Sequence, residues 1–175
     1  MIQGFAGKYK DMQEKIRVLM VCWGNICRSP MSEFVLKDMV SKRGLAEEFH
    51  IESAATSTEE IGNPIYPPAR RELAAHGIGT PNNELGLSEK RARQLRRDDY
   101  DKWDHIIGME QLNMGYMHRI LGGDPDGKVK LLMDFAGKAE DIDDPWYTGD
   151  FAGVYEQIVE GCEAFLDRLS EDGVI

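Results

Sequence analysis

The sequence predicts an α/β fold: a four-stranded parallel sheet with helices on both faces, in a Rossmann-like βαβ arrangement. Two observations indicate it, namely short apolar runs rich in β-branched residues and the helical segments that alternate with them. Such alternation is typical of right-handed βαβ units around a parallel sheet. Because 175 residues fit one domain, we predict a single domain at residues 16–175 and an N-terminal extension at residues 1–15.

Four strands are predicted from the apolar runs. The first run, IRVLMV, is short and almost wholly apolar, as expected for a buried strand of a parallel sheet. A ligand site is then expected beyond the carboxyl ends of the strands. The predicted strands cover residues 16–21, 49–55, 105–109 and 130–135.

The first helix is predicted from Pro30 to about Lys42, because proline suits the first turn and Ser29 suits the N-cap before it. A long amphipathic helix is expected to close the chain, since apolar residues recur there at helical spacing. The remaining predictions are helices at residues 68–76, 89–97 and 111–121, a surface loop without assigned function at 79–88, and a polar loop at 136–148.

Composition narrows the class of protein. The net charge of −10 argues against nucleic acid as a partner, because proteins that bind it usually carry a basic excess. No segment reaches the ~18 apolar residues of a membrane helix, and the N-terminus does not resemble a signal peptide. We therefore expect a cytoplasmic protein without membrane contact. The number and spacing of the three cysteines fit neither a disulfide scaffold nor a zinc site. Cys162 is predicted to lie in the core.

The segment that carries chemistry runs from Cys22 to Ser29, between the first strand and the first helix. A loop at this point aims backbone N–H groups inward, and together with the helix dipole they form a cradle for an anion. Gly24 allows close approach of the backbone, and Asn25 tolerates a left-handed conformation. Arg28 adds a planar fork for two phosphate oxygens.

The cradle that holds a phosphate would also stabilise Cys22 as a thiolate, and the Ser29 hydroxyl can donate to the sulfur. A cysteine and an arginine six residues apart often occur by accident, and a single cysteine is often only a small buried residue. The preceding apolar strand, the Gly-Asn pair and the Ser-Pro helix start are separate requirements that the sequence meets.

These residues resemble a known family. CWGNICRSPMSE resembles the signature loop of the low-molecular-weight protein tyrosine phosphatases, and the likeness runs from Ile16 to about Leu169. The family fold, a four-stranded parallel sheet with flanking helices, agrees with the prediction above. Three further segments resemble family motifs: residues 53–57 with IGNP at 61–64, MEQLN at 109–113, and DPWY at 144–147.

The resemblance implies a mechanism. Cys22 attacks phosphorus and forms a phosphocysteine, Arg28 clamps the phosphate, and Asp144 donates a proton to the leaving group. From the residues alone, Asp144 is equally explained by loop solvation or helix capping, and Asp143 is an adjacent competitor that does not precede the proline. No metal or cofactor is implied.

The resemblance also assigns the substrate pocket. Trp146 and Tyr147 would wall a slot for the substrate ring, or else simply anchor the loop. Asn25 and Ser53 match positions that stabilise the signature loop, and Cys27 matches a position that can form a reversible disulfide with Cys22. The other predicted substrate-binding positions lie in the loop itself: Trp23, Gly24, Asn25, Ile26, Cys27 and Ser29.

The chain departs from the family at three positions. Glu59 stands where members usually carry an aromatic slot residue, and Trp23 is the candidate for the missing wall. Glu110 replaces the usual aspartate. Lys90 stands where some members have a histidine that supports the loop asparagine.

The expected substrates are phosphotyrosine proteins, a tyrosine kinase among them, while the sequence indicates no oligomeric state.

Two enzymes of this fold are alternative functions. Protein-arginine phosphatases carry threonine where this chain has Ile26, and arsenate reductases relay a disulfide through further cysteines, of which only Cys162 remains. A catalytically silent phosphate-binding module is a third alternative, although Cys22, Arg28 and Asp144 are all retained.

Overall fold

A computed structural model describes residues 15–175, so the predicted N-terminal extension, apart from Lys15, lies outside the described residues. The strands form one sheet in the order β2-β1-β3-β4, and every neighbouring pair is parallel. The predicted fold class is confirmed. The strands are β1 (Ile16–Cys22), β2 (Phe49–Ala55), β3 (His105–Gly108) and β4 (Val129–Leu131).

Helices cover both faces of this sheet. The α1, α2, α5 and α7 helices pack together on one face, and α4 packs against β3 and β4 on the other. Within residues 15–175, no helix is long and apolar enough to cross a lipid bilayer. The helices are α1 (Arg28–Lys42), α2 (Pro67–Ala75), α3 (Asp99–Lys102), α4 (Gln111–Leu121), α5 (Leu132–Phe135), α6 (Pro145–Thr148) and α7 (Phe151–Glu171).

The central strand β1 explains the two-layer core. Its residues alternate between the faces, as in any strand. Val18 and Met20 enter the apolar cluster beneath α1 and α7, whereas Leu19 and Val21 enter the cluster beneath α4. All four side chains have zero exposure, so β1 is buried on both faces as predicted. Cys162, also fully buried, lies in the first cluster, which confirms its predicted place.

The predicted helix at residues 89–97 is wrong. The backbone there is extended beside the end of β2, where the Ala55 N–H donates to Arg93 O (2.8 Å) and the Leu95 N–H donates to Ala55 O (2.7 Å). The long polar side chains of this segment favour a helix locally. Pairing with β2 and burial of Ala92 and Leu95 override that preference.

The fourth strand is shorter than predicted, because β4 ends at Leu131 and α5 begins at Leu132. Leu132 and Met133 are buried, so the apolar run continues into the core as a helix turn. A short apolar run does not by itself distinguish the two structures. The segment predicted as a surface loop at 79–88 also contributes to the core, since Leu87 is 2% exposed.

Candidate active site

The site lies at the carboxyl end of β1, in the loop between Cys22 and the start of α1 at Arg28. Asn25 has a φ of 60°, the left-handed conformation that its short amide side chain tolerates. The loop curls around one end of a cavity of about 170 Å³. The cavity is lined by Cys22, Trp23, Gly24, Ile26, Cys27, Arg28, Glu59, Glu60, Asp144, Trp146 and Tyr147.

The sulfur of Cys22 lies among hydrogen-bond donors. The side chain is 3% exposed, its Sγ lies 3.0 Å from Ser29 Oγ, and the Asn25 N–H donates to it at 3.3 Å. The prediction of Ser29 as the helix N-cap is wrong, because α1 begins at Arg28, two residues before the predicted start at Pro30, and its N-cap is Cys27. The Ser29 hydroxyl faces the sulfur instead.

Asn25 holds the loop from beneath. Its Nδ2 donates to Ser29 Oγ at 2.7 Å and to Ser53 Oγ at 2.9 Å. Its Oδ1 accepts from the Arg93 N–H at 3.2 Å. With the side chain 1% exposed, these bonds are shielded from water and fix the left-handed turn.

A buried ion pair supports Ser53 in turn. The Ser53 hydroxyl donates to Glu33, and the Lys90 ammonium donates to Ser53 O at 2.9 Å while lying 3.8 Å from Glu33 Oε1. Burial lowers the pKa of Lys90, and Glu33 opposes that shift. Sequence reasoning missed Glu33, although a carboxylate between the apolar residues Met31 and Phe34 of α1 was a signal.

Arg28 is fixed before any substrate arrives, and it is 2% exposed. Its Nη1 donates to Ile142 O at 3.0 Å and lies 3.1 Å from Glu110 Oε2. Burial lowers the pKa of the guanidinium, but neighbouring groups outweigh it and the net shift is upward. Those groups are Cys22, Glu110 and Asp144. The contact with Ile142 had no sequence signal, since it uses only a backbone carbonyl.

Asp144 approaches the same guanidinium from another element. Its Oδ1 caps α6 by accepting from the Trp146 N–H at 3.1 Å, and its Oδ2 lies 3.4 Å from Arg28 Nη2. The carboxylate therefore has a capping role and also faces the cavity. Helix capping, one of the two explanations that the sequence left open for Asp144, is therefore confirmed.

Aromatic residues stand at the mouth of the cavity. Trp146 is 54% exposed and Tyr147 is 85% exposed. The Trp146 ring packs on Tyr66, with centroids 4.8 Å apart and planes tilted by 47°. Sequence reasoning missed Tyr66, which is tied to the loop because its N–H donates to Ile26 O at 2.9 Å.

The structure brings most of the predicted site residues to one cavity. Cys27 lines it as well and is 5% exposed. Burial and then the neighbouring Cys22 sulfur raise the pKa of the Cys27 thiol. Asn25, Ser29 and Ser53 are absent from the lining, and their side chains lie beneath the loop that they hold.

A comparison of this sequence with known protein families gives one match that spans the described domain. The sequence profile of the low molecular weight phosphotyrosine protein phosphatases matches residues 17–174. The chain belongs to this family. The predicted family resemblance is confirmed, and the low-molecular-weight phosphatase described here is a cysteine-dependent phosphoric monoester hydrolase.

Three relatives place this phosphatase among characterised proteins. It is 38% identical over 156 residues to the low molecular weight phosphotyrosine protein phosphatase of Gallus gallus, covering 86% of this chain and 94% of the relative. The crystal structure of YfkJ from Bacillus subtilis matches with a TM-score of 0.82 and 34% identity, covering 90% and 96%. The crystal structure of DARP, a Drosophila arginine phosphatase, matches with a TM-score of 0.74 and 31% identity, covering 87% and 97%.

Proposed function

We propose that the phosphatase hydrolyses phosphotyrosine in proteins, with Cys22 as nucleophile, Arg28 as phosphate ligand and Asp144 as proton donor. The observation that carries this proposal is that these three side chains line one cavity. A thiol nucleophile, a buried fork of N–H donors and a carboxyl group are the groups that hydrolysis of a phosphate ester through a covalent intermediate needs. Aromatic side chains at the cavity mouth suit an aryl ester.

In the first step the Cys22 thiolate attacks phosphorus, a sulfur–phosphorus bond forms, and the bond to the tyrosine oxygen breaks. The leaving oxygen takes the proton of Asp144. The Arg28 guanidinium and the N–H groups of the loop hold the three remaining phosphate oxygens as negative charge grows on them. Glu110 and Ile142 fix the position of the guanidinium, and the Asn25 side chain holds the loop through Ser29 and Ser53.

In the second step water attacks the phosphocysteine. Asp144, now ionised, takes a proton from that water. The sulfur–phosphorus bond breaks, which releases inorganic phosphate and the Cys22 sulfur. The leaving sulfur is again a thiolate, and the Ser29 hydroxyl, 3.0 Å away, and the Asn25 N–H can stabilise it. One cycle therefore returns the enzyme to its starting state.

The proposal is tested by comparing wild type with a Cys22→Ser variant. Four substrates are assayed: p-nitrophenyl phosphate, a phosphotyrosine peptide, a phosphoarginine peptide and arsenate with a thiol reductant. We expect wild type to hydrolyse the two aryl phosphates and the variant to hydrolyse neither. Equal activity of the two proteins, or arsenate reduction without aryl phosphatase activity, would contradict the proposal.

Phosphoarginine hydrolysis is a second candidate, because DARP shares the fold and 31% of its aligned residues. Ile26 lines the cavity here and offers no hydroxyl to a guanidinium. We therefore favour phosphotyrosine. An Ile26→Thr variant provides the test: the ratio of kcat/KM for phosphoarginine over phosphotyrosine peptides should rise. A wild type that already prefers phosphoarginine would reverse the order of the two candidates.

We also propose that the enzyme works in the cytoplasm. Its three cysteines are all free thiols, and a reducing compartment keeps thiols in that state.

A tyrosine kinase that carries phosphotyrosine is one proposed substrate. Capture of phosphoproteins on the Cys22→Ser variant from a lysate of the native host, followed by mass spectrometry, tests whether any kinase is among them.

The proposed catalytic unit is a single domain at residues 16–175. Both apolar clusters include residues of β1, so neither half of the sheet has a separate core. Limited proteolysis should leave this region intact, and a stable fragment cleaved between β2 and β3 would contradict the proposal.

A further inference from the structure

Trp23 differs from the other aromatic residues of the cavity because it belongs to the loop from Cys22 to Arg28, called the phosphate loop below. It follows Cys22 directly, and its backbone O accepts from the Ser57 N–H at 3.0 Å in the turn after β2. The indole lines the cavity and is only partly exposed. A ring bound next to the sulfur would therefore lie within reach of the indole.

Two contacts fix the orientation of this indole. Its Nε1–H donates to Glu59 Oε2 at 3.0 Å. Its ring also meets Tyr116 of α4 edge to face, with centroids 5.4 Å apart and planes at 66°. Tyr116 is itself covered by the Arg119 guanidinium, which lies 5.4 Å from the ring centroid. The indole is thus held by a carboxylate on one element and by an aromatic ring on another.

Glu59 has no other partner among residues 15–175, since no ion pair joins it to a lysine or arginine there. An exposed glutamate without a cation can turn a side-chain oxygen toward the indole N–H. The indole N–H is a donor only, so it needs an acceptor of this kind. The neighbouring Glu60 serves a different partner, the Asn63 Nδ2 at 2.7 Å.

We propose that Trp23 is a specificity-determining wall of the substrate slot and that Glu59 is the residue that positions it. This inference rests on the proposed hydrolysis of phosphotyrosine and names the groups that recognise the aryl ring. Glu59 acts through its hydrogen bond to the indole and not through its charge. The pair gives this phosphatase an aromatic wall that is built from the phosphate loop.

A double-mutant cycle tests the proposal with p-nitrophenyl phosphate as substrate. Glu59→Leu removes the acceptor and should raise KM about three- to tenfold with little change in kcat, the range that one aromatic contact carries. Glu59→Gln keeps an acceptor without the charge, so its KM should stay close to that of wild type. In a Trp23→Phe background, which lacks the N–H, Glu59→Leu should have no further effect.

The competitive inhibition constant of inorganic phosphate separates this role from a general loosening of the loop. Phosphate has no ring, so Glu59→Leu should leave that constant unchanged while KM for the aryl ester rises. If Glu59→Gln behaves like Glu59→Leu, if the cycle shows no coupling, or if phosphate inhibition weakens in parallel with KM, the inference is wrong. Wild type that hydrolyses no aryl phosphate would instead overturn the proposed function and this inference together.

Discussion

The Asp144 carboxylate lies 3.4 Å from the Arg28 guanidinium, so the proposed proton donor and the proposed phosphate ligand form an ion pair in the wall of the cavity. They come from distant parts of the chain, one before α6 and the other at the start of α1. A phosphate held by the guanidinium would therefore present its ester oxygen near the carboxyl group. The relative position of these two side chains underlies the mechanism.

Replacing Asp144 should slow the release of poor leaving groups most. Asp144→Asn keeps an acceptor for the Trp146 N–H, so α6 should remain capped. We expect kcat for p-nitrophenyl phosphate to fall about 10²–10⁴-fold, because the leaving oxygen lacks a proton donor. The loss should be clearly smaller with 2,4-dinitrophenyl phosphate, whose leaving group needs no proton.

Asp143→Asn is the matched control, since Asp143 is the exposed neighbour in the same loop. Its kcat should stay within about twofold of wild type, as expected for a surface change. Equal losses in the two variants, or an Asp144→Asn loss independent of the leaving group, would contradict the role of Asp144.

Arg28 should not be replaceable by another cation. Arg28→Lys keeps the charge but loses the planar fork and its contacts with Ile142 and Glu110. We expect kcat/KM to fall about 10²–10³-fold, the usual cost of losing one group that stabilises the transition state. Glu110→Gln should give a smaller loss of about tenfold, because charge-assisted bonds to the guanidinium weaken. Glu140→Gln, an exposed change in the loop between α5 and α6, should leave kcat/KM unchanged. Equal losses in Glu140→Gln and Glu110→Gln would contradict the role of Glu110.

The left-handed turn at Asn25 should be visible in stability. Asn25→Gly and Asn25→Ala both lose the bonds to Ser29 and Ser53, but only glycine adopts a φ of 60° without strain. We expect the alanine variant to unfold with a free energy about 1–2 kcal/mol lower than that of the glycine variant. Urea denaturation measures both. Identical free energies of unfolding would show that the turn relaxes and that the conformation carries no strain.

Much of the site could be predicted because its chemistry is contiguous in the chain. The apolar strand β1, the loop from Cys22 and the helix that follows are local patterns, whereas the role of Asp144 is expected only from the resemblance of DPWY at 144–147 to a family motif. Contacts made by backbone carbonyls, such as Ile142 with Arg28, carry no residue signature. The side chains of the segment at 89–97 favour a helix, whereas pairing with β2 determines its conformation. Such pairing depends on tertiary structure and is not visible in a single sequence.

Peroxide should inactivate the enzyme reversibly. It would oxidise the Cys22 thiolate to a sulfenic acid, after which the Cys27 sulfur attacks, a disulfide forms and water leaves. Both cysteines line the cavity, and burial raises the pKa of Cys27, so Cys27 is the resolving partner and not the first target. We expect activity to return with dithiothreitol in wild type but to be lost in Cys27→Ser as Cys22 oxidises further. If dithiothreitol restored the full activity of Cys27→Ser after peroxide, a Cys22–Cys27 disulfide would not be needed to protect Cys22.

His105 should make stability depend on pH. Burial lowers its pKa in the folded state, with Asp104 opposing that shift and Lys130 adding to it. The unfolded chain, with an ordinary histidine pKa of about 6.5, therefore takes up a proton that the folded protein does not. Stability should fall as pH drops below about 6.5. Urea denaturation at two pH values, about 7.5 and about 5.5 on either side of that pKa, should show a smaller loss for His105→Gln. Equal losses in variant and wild type would exclude His105 as the cause.

The proposed mechanism requires a phosphoryl group to pass through the sulfur of Cys22. To locate the label, wild type is mixed rapidly with phosphorus-32-labelled phosphotyrosine peptide, quenched with acid within the first turnover and analysed by peptide mapping. We expect labelled phosphorus on Cys22 that forms and decays at rates able to support turnover, and none on Cys22→Ser. Full activity without label on that cysteine, or label on another residue, would contradict it.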